Sequence, residues 1–184
     1  MIRHICVFLL PLLLGISGCS TFSWGGKPVP YQADSRLVIT SHLAVDQLLA
    51  SIPPGKALDR RQPIIVASLV GIDDLTSSRL GRTIAEQLGT RLSTNGYSVA
   101  ELKLRESIFI KQGEGELLLS RELKEISRNH QAQAVLVGTY AQAMNNVYVT
   151  LKLVGVTDNQ VIAAHDLVLP IDAEVRALLW SKSR

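Results

Sequence analysis

Two clusters of charged side chains mark the places in this chain where polar chemistry could be concentrated. The first, which we call the Asp-Arg cluster, contains Asp73, Asp74, Arg79 and Arg82 and lies where a buried strand is predicted to lead into a helix. Ligands often bind at such junctions in open α/β sheets, and helix-start amides attract anions. The two acids would oppose an anion, and acids near a helix start also stabilise the helix by themselves. We therefore predict an interaction surface or a helix cap.

The second cluster contains Glu114, Glu116 and Arg121 and precedes a predicted third helix. Paired carboxylates can carry out acid–base catalysis, but only if their environments separate their pKa values. Nothing in either cluster indicates such a separation. For Glu116 and Arg121 we predict a solvated face or a capping pair.

The motifs that usually identify enzymes are absent. The sequence has no H-x-x-x-H or C-x-x-C spacing, no G-x-S-x-G nucleophile motif and no Walker A loop. The isolated histidines His42, His130 and His165 give little support for a metal site. A formal net charge of +3 over 184 residues is far from the dense basic footprint of a nucleic-acid-binding protein. We predict no enzyme, no cofactor and no small-molecule substrate.

Cys19 is the residue for which the sequence predicts definite chemistry. Residues 5–14 form an apolar stretch behind Arg3, and it is too short to span a membrane as a helix, which takes roughly 20 residues. Ile16-Ser17-Gly18-Cys19 resembles a bacterial lipobox. This resemblance implies a signal peptide over residues 1–18, cleavage before Cys19, and lipidation of both its thiol and the new amino terminus. An ordinary signal peptide with a chance cysteine is the alternative.

The residues after Cys19 are predicted to tether the folded part to a membrane. Two or more acyl chains anchor a protein stably, whereas one does so only marginally. Ser20, by resemblance to enterobacterial lipoproteins, directs sorting to the outer membrane. We predict a flexible tether over residues 19–35, because this stretch contains glycines and prolines and has no helical or strand period. About fourteen residues of it, fully extended, would span at most roughly 50 Å. Cleavage would also remove Cys6.

Residues 36–184 are predicted to form one α/β domain with a single mixed sheet, parallel early and antiparallel late, flanked by helices. Apolar residues at spacings of three and four predict helices over residues 36–52, from about Leu80 to Leu92 and near residues 120–129. Residues 73–78 supply the start of the second helix, and Asn95-Gly96 is predicted to end it with a left-handed cap. Runs rich in β-branched residues predict strands over residues 63–70, 97–104, 134–139, 147–156 and 161–169. Asp172 is predicted to cap a final short helix. The predicted order is α-β-α-β-α-β-β-β-α.

Several separate blocks of sequence together resemble the FlgO family of flagellar outer-membrane lipoproteins. The similarity spans about residues 45–170. The blocks, in chain order, are residues 63–75, 78–82, 86–88, 99–105, 115–116, 119–121, 137–140 and 147–149.

The resemblance implies a flagellar accessory protein at the periplasmic face of the outer membrane, which would assemble around the basal body and support motility. Its implied fold is similar to LpoB and to the amino-terminal domain of TolB. Implied partners are the outer membrane, through the lipid, and either copies of the same chain or other flagellar ring proteins. The alternative is an LpoB-like regulatory module that acts on an envelope enzyme such as a peptidoglycan synthase. The short tether favours the structural role, because LpoB-like activators are expected to carry long linkers.

Overall fold

The computed structural model describes residues 36–101 and 121–180. The helices are α1 (Arg36–Ala50), α2 (Arg79–Thr94), α3 (Arg121–Asn129) and α4 (Ala173–Trp180), with a short 3-10 helix at Pro54–Lys56. The strands are β1 (Ile64–Val66), β2 (Val70–Gly71), β3 (Val99–Glu101), β4 (Ala134–Gln142), β5 (Asn146–Gly155) and β6 (Val161–Pro170).

The strands form one mixed sheet in the order β3-β1-β4-β5-β6, and β2 also pairs with β4. β1 pairs in parallel with β3 and β4, whereas β4, β5 and β6 form an antiparallel meander. The first half is parallel because the crossover connections that contain α2 and α3 return the chain to the end of the sheet at which β1 began. The second half is antiparallel because short turns join its strands. This confirms the predicted mixed sheet.

Helices α1, α2 and α4 cover one face of the sheet, which we call the helix-covered face. Alternate residues of the strands point to this face, as the two-residue period of a strand requires. In β5 the alternate residues from Val147 to Leu153 are almost fully buried. They pack in one cluster with Leu48 of α1, Leu88 of α2 and Val175 of α4. This cluster is the main core of the domain.

The opposite face of the sheet is buried over its parallel half and exposed over β5 and β6. Ile65 and Val135 have no exposed surface, but Tyr148 is 52% exposed and Val168 is 49% exposed. Six residues in the middle of β5 and β6 point to this side and form what we call the open face: Tyr148, Thr150, Lys152, Ala164, Asp166 and Val168. Val154, near the end of β5, points the same way but is buried. No described helix or strand covers the open face.

The strand predicted over residues 63–70 is divided in two at Leu69. The backbone N–H of Leu69 donates to the carbonyl oxygen of Gly81 in α2, at 3.3 Å, instead of to β4. Gly81 allows this close approach, because a Cβ there would overlap the Leu69 carbonyl oxygen. A Cβ on Gly138 of β4 would lie 2.7 Å from Cγ of Leu69. Leu69 therefore joins α2 to the sheet, through its backbone hydrogen bond to Gly81 and through its side chain packed against Gly138.

Helix α2 ends as its sequence predicts. Gly96 has a φ of 83°, in the left-handed region that favours glycine. Its N–H donates to the Ser93 carbonyl oxygen at 2.9 Å, and the Tyr97 N–H donates to the Leu92 carbonyl oxygen at 3.1 Å. This pair of bonds is a Schellman motif, which satisfies two carbonyl groups at the end of the helix.

The other element predictions agree with the structure to within a few residues. α1 ends two residues earlier than predicted, and β4 continues to Gln142. The Asp172 carboxylate accepts a hydrogen bond from the Val175 N–H at 2.9 Å and so caps α4. The signal peptide, the tether and the end of the strand predicted over residues 97–104 lie outside the described residues.

Candidate functional site

The Asp-Arg cluster lies on a loop that folds back on itself between β2 and α2. The Gly71 N–H donates to the Thr76 carbonyl oxygen at 3.0 Å, and the Leu75 N–H donates to the Gly71 carbonyl oxygen at 2.9 Å. Val70 and Ser77 form an isolated bridge at the base of the loop. The Ile72 N–H donates to Tyr140 of β4 at 2.9 Å, so the loop is fixed to the end of the parallel strands.

Asp74 organises this loop from within. Its carboxylate accepts hydrogen bonds from the Thr76 hydroxyl at 2.6 Å and from the Thr76 N–H at 3.0 Å. These bonds, that from the hydroxyl first, lower the pKa of Asp74 below its ordinary value. They also hold Leu75 at a φ of 55°, a conformation unusual for a leucine. The Asp74 carboxylate therefore stabilises the turn through hydrogen bonds, although Asp74 is exposed to solvent.

The residue that caps α2 is Ser78, whose hydroxyl accepts a hydrogen bond from the Gly81 N–H at 3.0 Å. Asp73, Arg79 and Arg82 are all exposed beside it. No ion pair joins these three residues to each other or to any other residue in the described ranges. The structure therefore places the four members of the cluster on one exposed junction without linking them into a catalytic arrangement.

The remaining predicted site residues lie at or beyond the limits of the described structure. Arg121 is the first residue of α3, and nothing is described of its side chain. Glu116 and the lipidation candidate Cys19 lie outside the described residues, so their roles stay predictions.

Sequence reasoning missed a charged contact between α1 and α2. The Arg91 guanidinium donates to both carboxylate oxygens of Asp46, at 2.9 and 2.7 Å, and the Asn95 amide donates to the same carboxylate at 3.0 Å. These bonds, that from Arg91 first, lower the pKa of Asp46. The two helices are far apart in sequence, so no local pattern indicates the pair. The contact aligns the two helices.

A shallow groove of about 560 Å³ follows the outer side of α2 beside β3. Gly89, Thr90, Ser93, Thr94 and Val99 line it. None of these five described residues is charged or titratable, so they offer no acid–base chemistry. Within residues 36–101 and 121–180 no group of three histidine, cysteine or acidic residues could hold a metal ion. None of the helices in these ranges is long and apolar enough to cross a membrane.

The domain has the fold of the LpoB carboxy-terminal domain. The carboxy-terminal domain of LpoB from Salmonella enterica matches with a TM-score of 0.51 and 17% identity, over 71% of this chain and 95% of that chain. The corresponding domain from Escherichia coli matches with a TM-score of 0.51 and 14% identity, over 72% and 96%. TolB from Acinetobacter baumannii matches with a TM-score of 0.39 and 16% identity, over 67% and 26%. No curated protein sequence is significantly similar to the chain.

Fold and site together define a mixed α/β domain that shares its fold with the LpoB carboxy-terminal domain and presents an exposed polar junction and an open sheet surface. The sequence model described as "FlgO protein" matches residues 42–174, which is most of the chain. The protein belongs to the FlgO family, as its sequence blocks predict.

Proposed function

We propose that this protein is a non-enzymatic lipoprotein of the outer membrane that serves as a structural accessory of the flagellum around its basal body. The observation that carries the proposal is the family match over residues 42–174, which is preceded by a lipobox-like motif ending at Cys19. Family membership supports the flagellar role. The motif supports an anchor on the periplasmic face of the membrane.

The geometry of the Asp-Arg cluster supports contact with a protein surface. The cluster contains two acids and two arginines, all of them exposed. The Asp74 carboxylate already accepts a hydrogen bond from the Thr76 hydroxyl within its own turn. Exposed charges of both signs guide and orient association more than they strengthen it. We propose that this junction and the open face contact copies of the same chain or other ring proteins of the flagellum.

An LpoB-like regulatory module is the alternative, and the shared fold supports it. In that case the domain would contact an envelope enzyme such as a peptidoglycan synthase. Cys19 and the first residue of α1, Arg36, are 17 positions apart, so the connection spans at most roughly 60 Å even when fully extended. This short reach favours a partner near the outer membrane.

Deletion of the gene separates the two functions. For the flagellar function we expect reduced swimming in soft agar and missing density around the basal body at the outer membrane in cryotomograms. Expression of the full chain from a plasmid should restore both. Normal swimming with an unchanged basal body would refute the flagellar role. If such cells were also sensitised to cell-wall antibiotics, the regulatory alternative would be favoured.

A further inference from the structure

The outer edge of β6 is available for pairing with another strand. β6 is the last strand of the sheet, it is ten residues long, and no strand in the described ranges pairs with its outer side. An edge strand carries a row of N–H and C=O groups without partners, and these groups bind another strand. The backbone chemistry of this edge therefore fits an extended segment.

Two hydrogen bonds identify which backbone groups of β6 point outward. The Ile171 N–H donates to the Asn145 carbonyl oxygen at 2.9 Å, and the Ala143 N–H donates to the Asn146 carbonyl oxygen at 2.8 Å. Because the direction alternates along an antiparallel strand, the odd-numbered residues of β6 bond to β5. The even-numbered residues, among them Ala164 and Asp166, point to the free edge. Pro170 is one of these, so its missing N–H removes no bond to β5.

Two opposite charges lie on the open face beside this edge. Lys152 of β5 is directly opposite Ala164 of β6, and Thr150 is directly opposite Asp166. Neither Lys152 nor Asp166 forms an ion pair or a side-chain hydrogen bond with any other described residue. Each is therefore available for a charge on another molecule.

We propose that two copies of this chain pair through β6 in antiparallel register, with the two-fold axis at His165. This register places Ala164 of each copy opposite Asp166 of the other, and these residues exchange both of their backbone hydrogen bonds. Three residues on neighbouring strands are then directly side by side across the joined sheets: Lys152 of β5, Ala164 of β6 and Asp166 of the second copy. The long Lys152 side chain reaches over the small Ala164 side chain to that carboxylate. The symmetry forms the same ion pair twice.

The charges select this register over its neighbours. With the axis at Asp166, the two Asp166 carboxylates would lie directly opposite one another, and like charges in that position are destabilising. With the axis at Leu167, Asp166 would lie opposite Val168, and the residue of the second copy that faces Lys152 across Ala164 would be Pro170 instead of an acid. In the selected register the half-buried His165 side chains of the two copies meet on the helix-covered face.

The dimer goes beyond the proposed function, because it would form whether the protein acts at the flagellum or elsewhere in the envelope. A two-fold dimer is closed, so a ring would need a second interface elsewhere on the surface. The Asp-Arg cluster lies on a different part of the domain and stays free for that contact.

Sedimentation velocity of the mature full-length chain in detergent micelles tests the dimer. We expect a species of twice the protein mass at micromolar concentration. Asp166→Lys and Lys152→Asp should each raise the dissociation constant by about tenfold or more. The double variant restores opposite charges and should recover most of the affinity. Glu86→Lys, an equal change of charge on the exposed side of α2, should have no effect.

Single cysteines read the register directly. In the proposed dimer two residues at position 165 form a non-hydrogen-bonded pair with Cα atoms about 4.5 Å apart, within the range that a disulfide bridges. His165→Cys should therefore cross-link on mild oxidation. Ala164→Cys and Leu167→Cys, which leave both charges of the ion pair in place, should cross-link much less, because each reports one of the other registers.

The outcomes keep the dimer and the lipid anchor separate. A protein that stays monomeric at concentrations up to about 100 µM would refute the dimer. Equal cross-linking at all three positions, or strongest cross-linking at 164 or 167, would refute the register. Cross-linking of the unsubstituted chain would show a free thiol at Cys19, which would refute the anchor and leave the dimer to the sedimentation result.

Discussion

At the scale of single residues, α2 can pack against the sheet at Leu69 because Gly81 has no side chain. The N–H of Leu69 bonds to Gly81, and its fully buried side chain lies against Gly138. Protein interiors are packed as tightly as organic crystals, so atoms added at such a contact must displace backbone. A second glycine in the same helix, Gly89, has ordinary space around it. Its missing Cβ would contact Val99 at 3.8 Å and Val66 at 3.9 Å.

Gly81→Ala should destabilise the domain, although alanine is the better helix former. The added Cβ would overlap the Leu69 carbonyl oxygen. Overpacking of this kind costs about 1–3 kcal/mol, which exceeds the helix-propensity gain of about 1 kcal/mol. Gly89→Ala, the matched control, should be neutral or stabilise by up to about 1 kcal/mol. Urea unfolding measures both, and equal effects of the two substitutions would contradict the role of Leu69.

The contact of Asp46 with Arg91 predicts a dependence of stability on pH. The pKa of Asp46 is lowered in the folded state, so the contact stabilises the fold above the ordinary carboxylate pKa of about 3.9 and is lost as the pH falls through the lower, folded-state value. The urea midpoint of Asp46→Asn should therefore lie below that of the unchanged chain at pH 7, and the difference should shrink toward pH 3.

A double variant controls for other effects of the Asp46 substitution. Both side chains are exposed by about a third, at 32% for Asp46 and 31% for Arg91, so we expect a small effect that decreases with added salt. Asp46→Asn combined with Arg91→Met should be no less stable than Arg91→Met alone. If Asp46→Asn lowers the midpoint equally in both backgrounds, the contact with Arg91 is not the cause.

At the scale of elements, the junction between β2 and α2 depends on side chains that satisfy backbone groups. Asp74 holds the loop through Thr76, and Ser78 begins the helix by accepting from Gly81. The first N–H groups of a helix have no partner within it, so such a cap determines where the helix begins. This arrangement fixes Arg79 and Arg82 on the first turn and thereby shapes the Asp-Arg cluster.

Ser78→Ala should lower the free energy of unfolding by about 1 kcal/mol, within the range of about 0.5–2 kcal/mol known for such caps, because the Gly81 N–H loses its acceptor. Ser78→Asp should retain most of the stability. Ser77→Ala changes the neighbouring exposed serine and serves as the control, with an effect near zero. Thermal and urea unfolding measure these differences. If Ser77→Ala and Ser78→Ala cost the same, Ser78 does not cap the helix.

Local patterns predict the elements well and the contacts between them poorly. The alternation of Val147 to Leu153 predicts β5, and Asn95-Gly96 predicts the end of α2, because each signal lies within a few residues of its effect. The division of the first strand at Leu69 depends instead on Gly81, twelve residues away and in another element. The Asp46 contact is likewise invisible in sequence. For the candidate site, the pattern predicts the junction, but only the structure shows that Ser78 is the cap.

At the scale of the whole molecule, the helices leave one side of the sheet unequally covered. The parallel half is buried on both faces, as crossover helices require, whereas the meander has one face against α1, α2 and α4 and one face open. The free edge of β6 adjoins that open face. A protein whose described part has no metal cluster or catalytic arrangement thus has two kinds of surface for association, one of charged loops and one of strand backbone.

The position of the whole molecule in the envelope is predicted to depend on Cys19. Cys19→Ala removes the acceptor of the lipid, and without buried acyl chains the domain has no strong hydrophobic anchor. We expect the variant to move from the outer-membrane fraction to the soluble or inner-membrane fraction in sucrose gradients. Ser20→Ala, a control that keeps the cysteine, should still be lipidated, and mass spectrometry of the amino-terminal peptide detects this. A Cys19→Ala protein that still fractionates with the outer membrane unchanged would contradict the anchor.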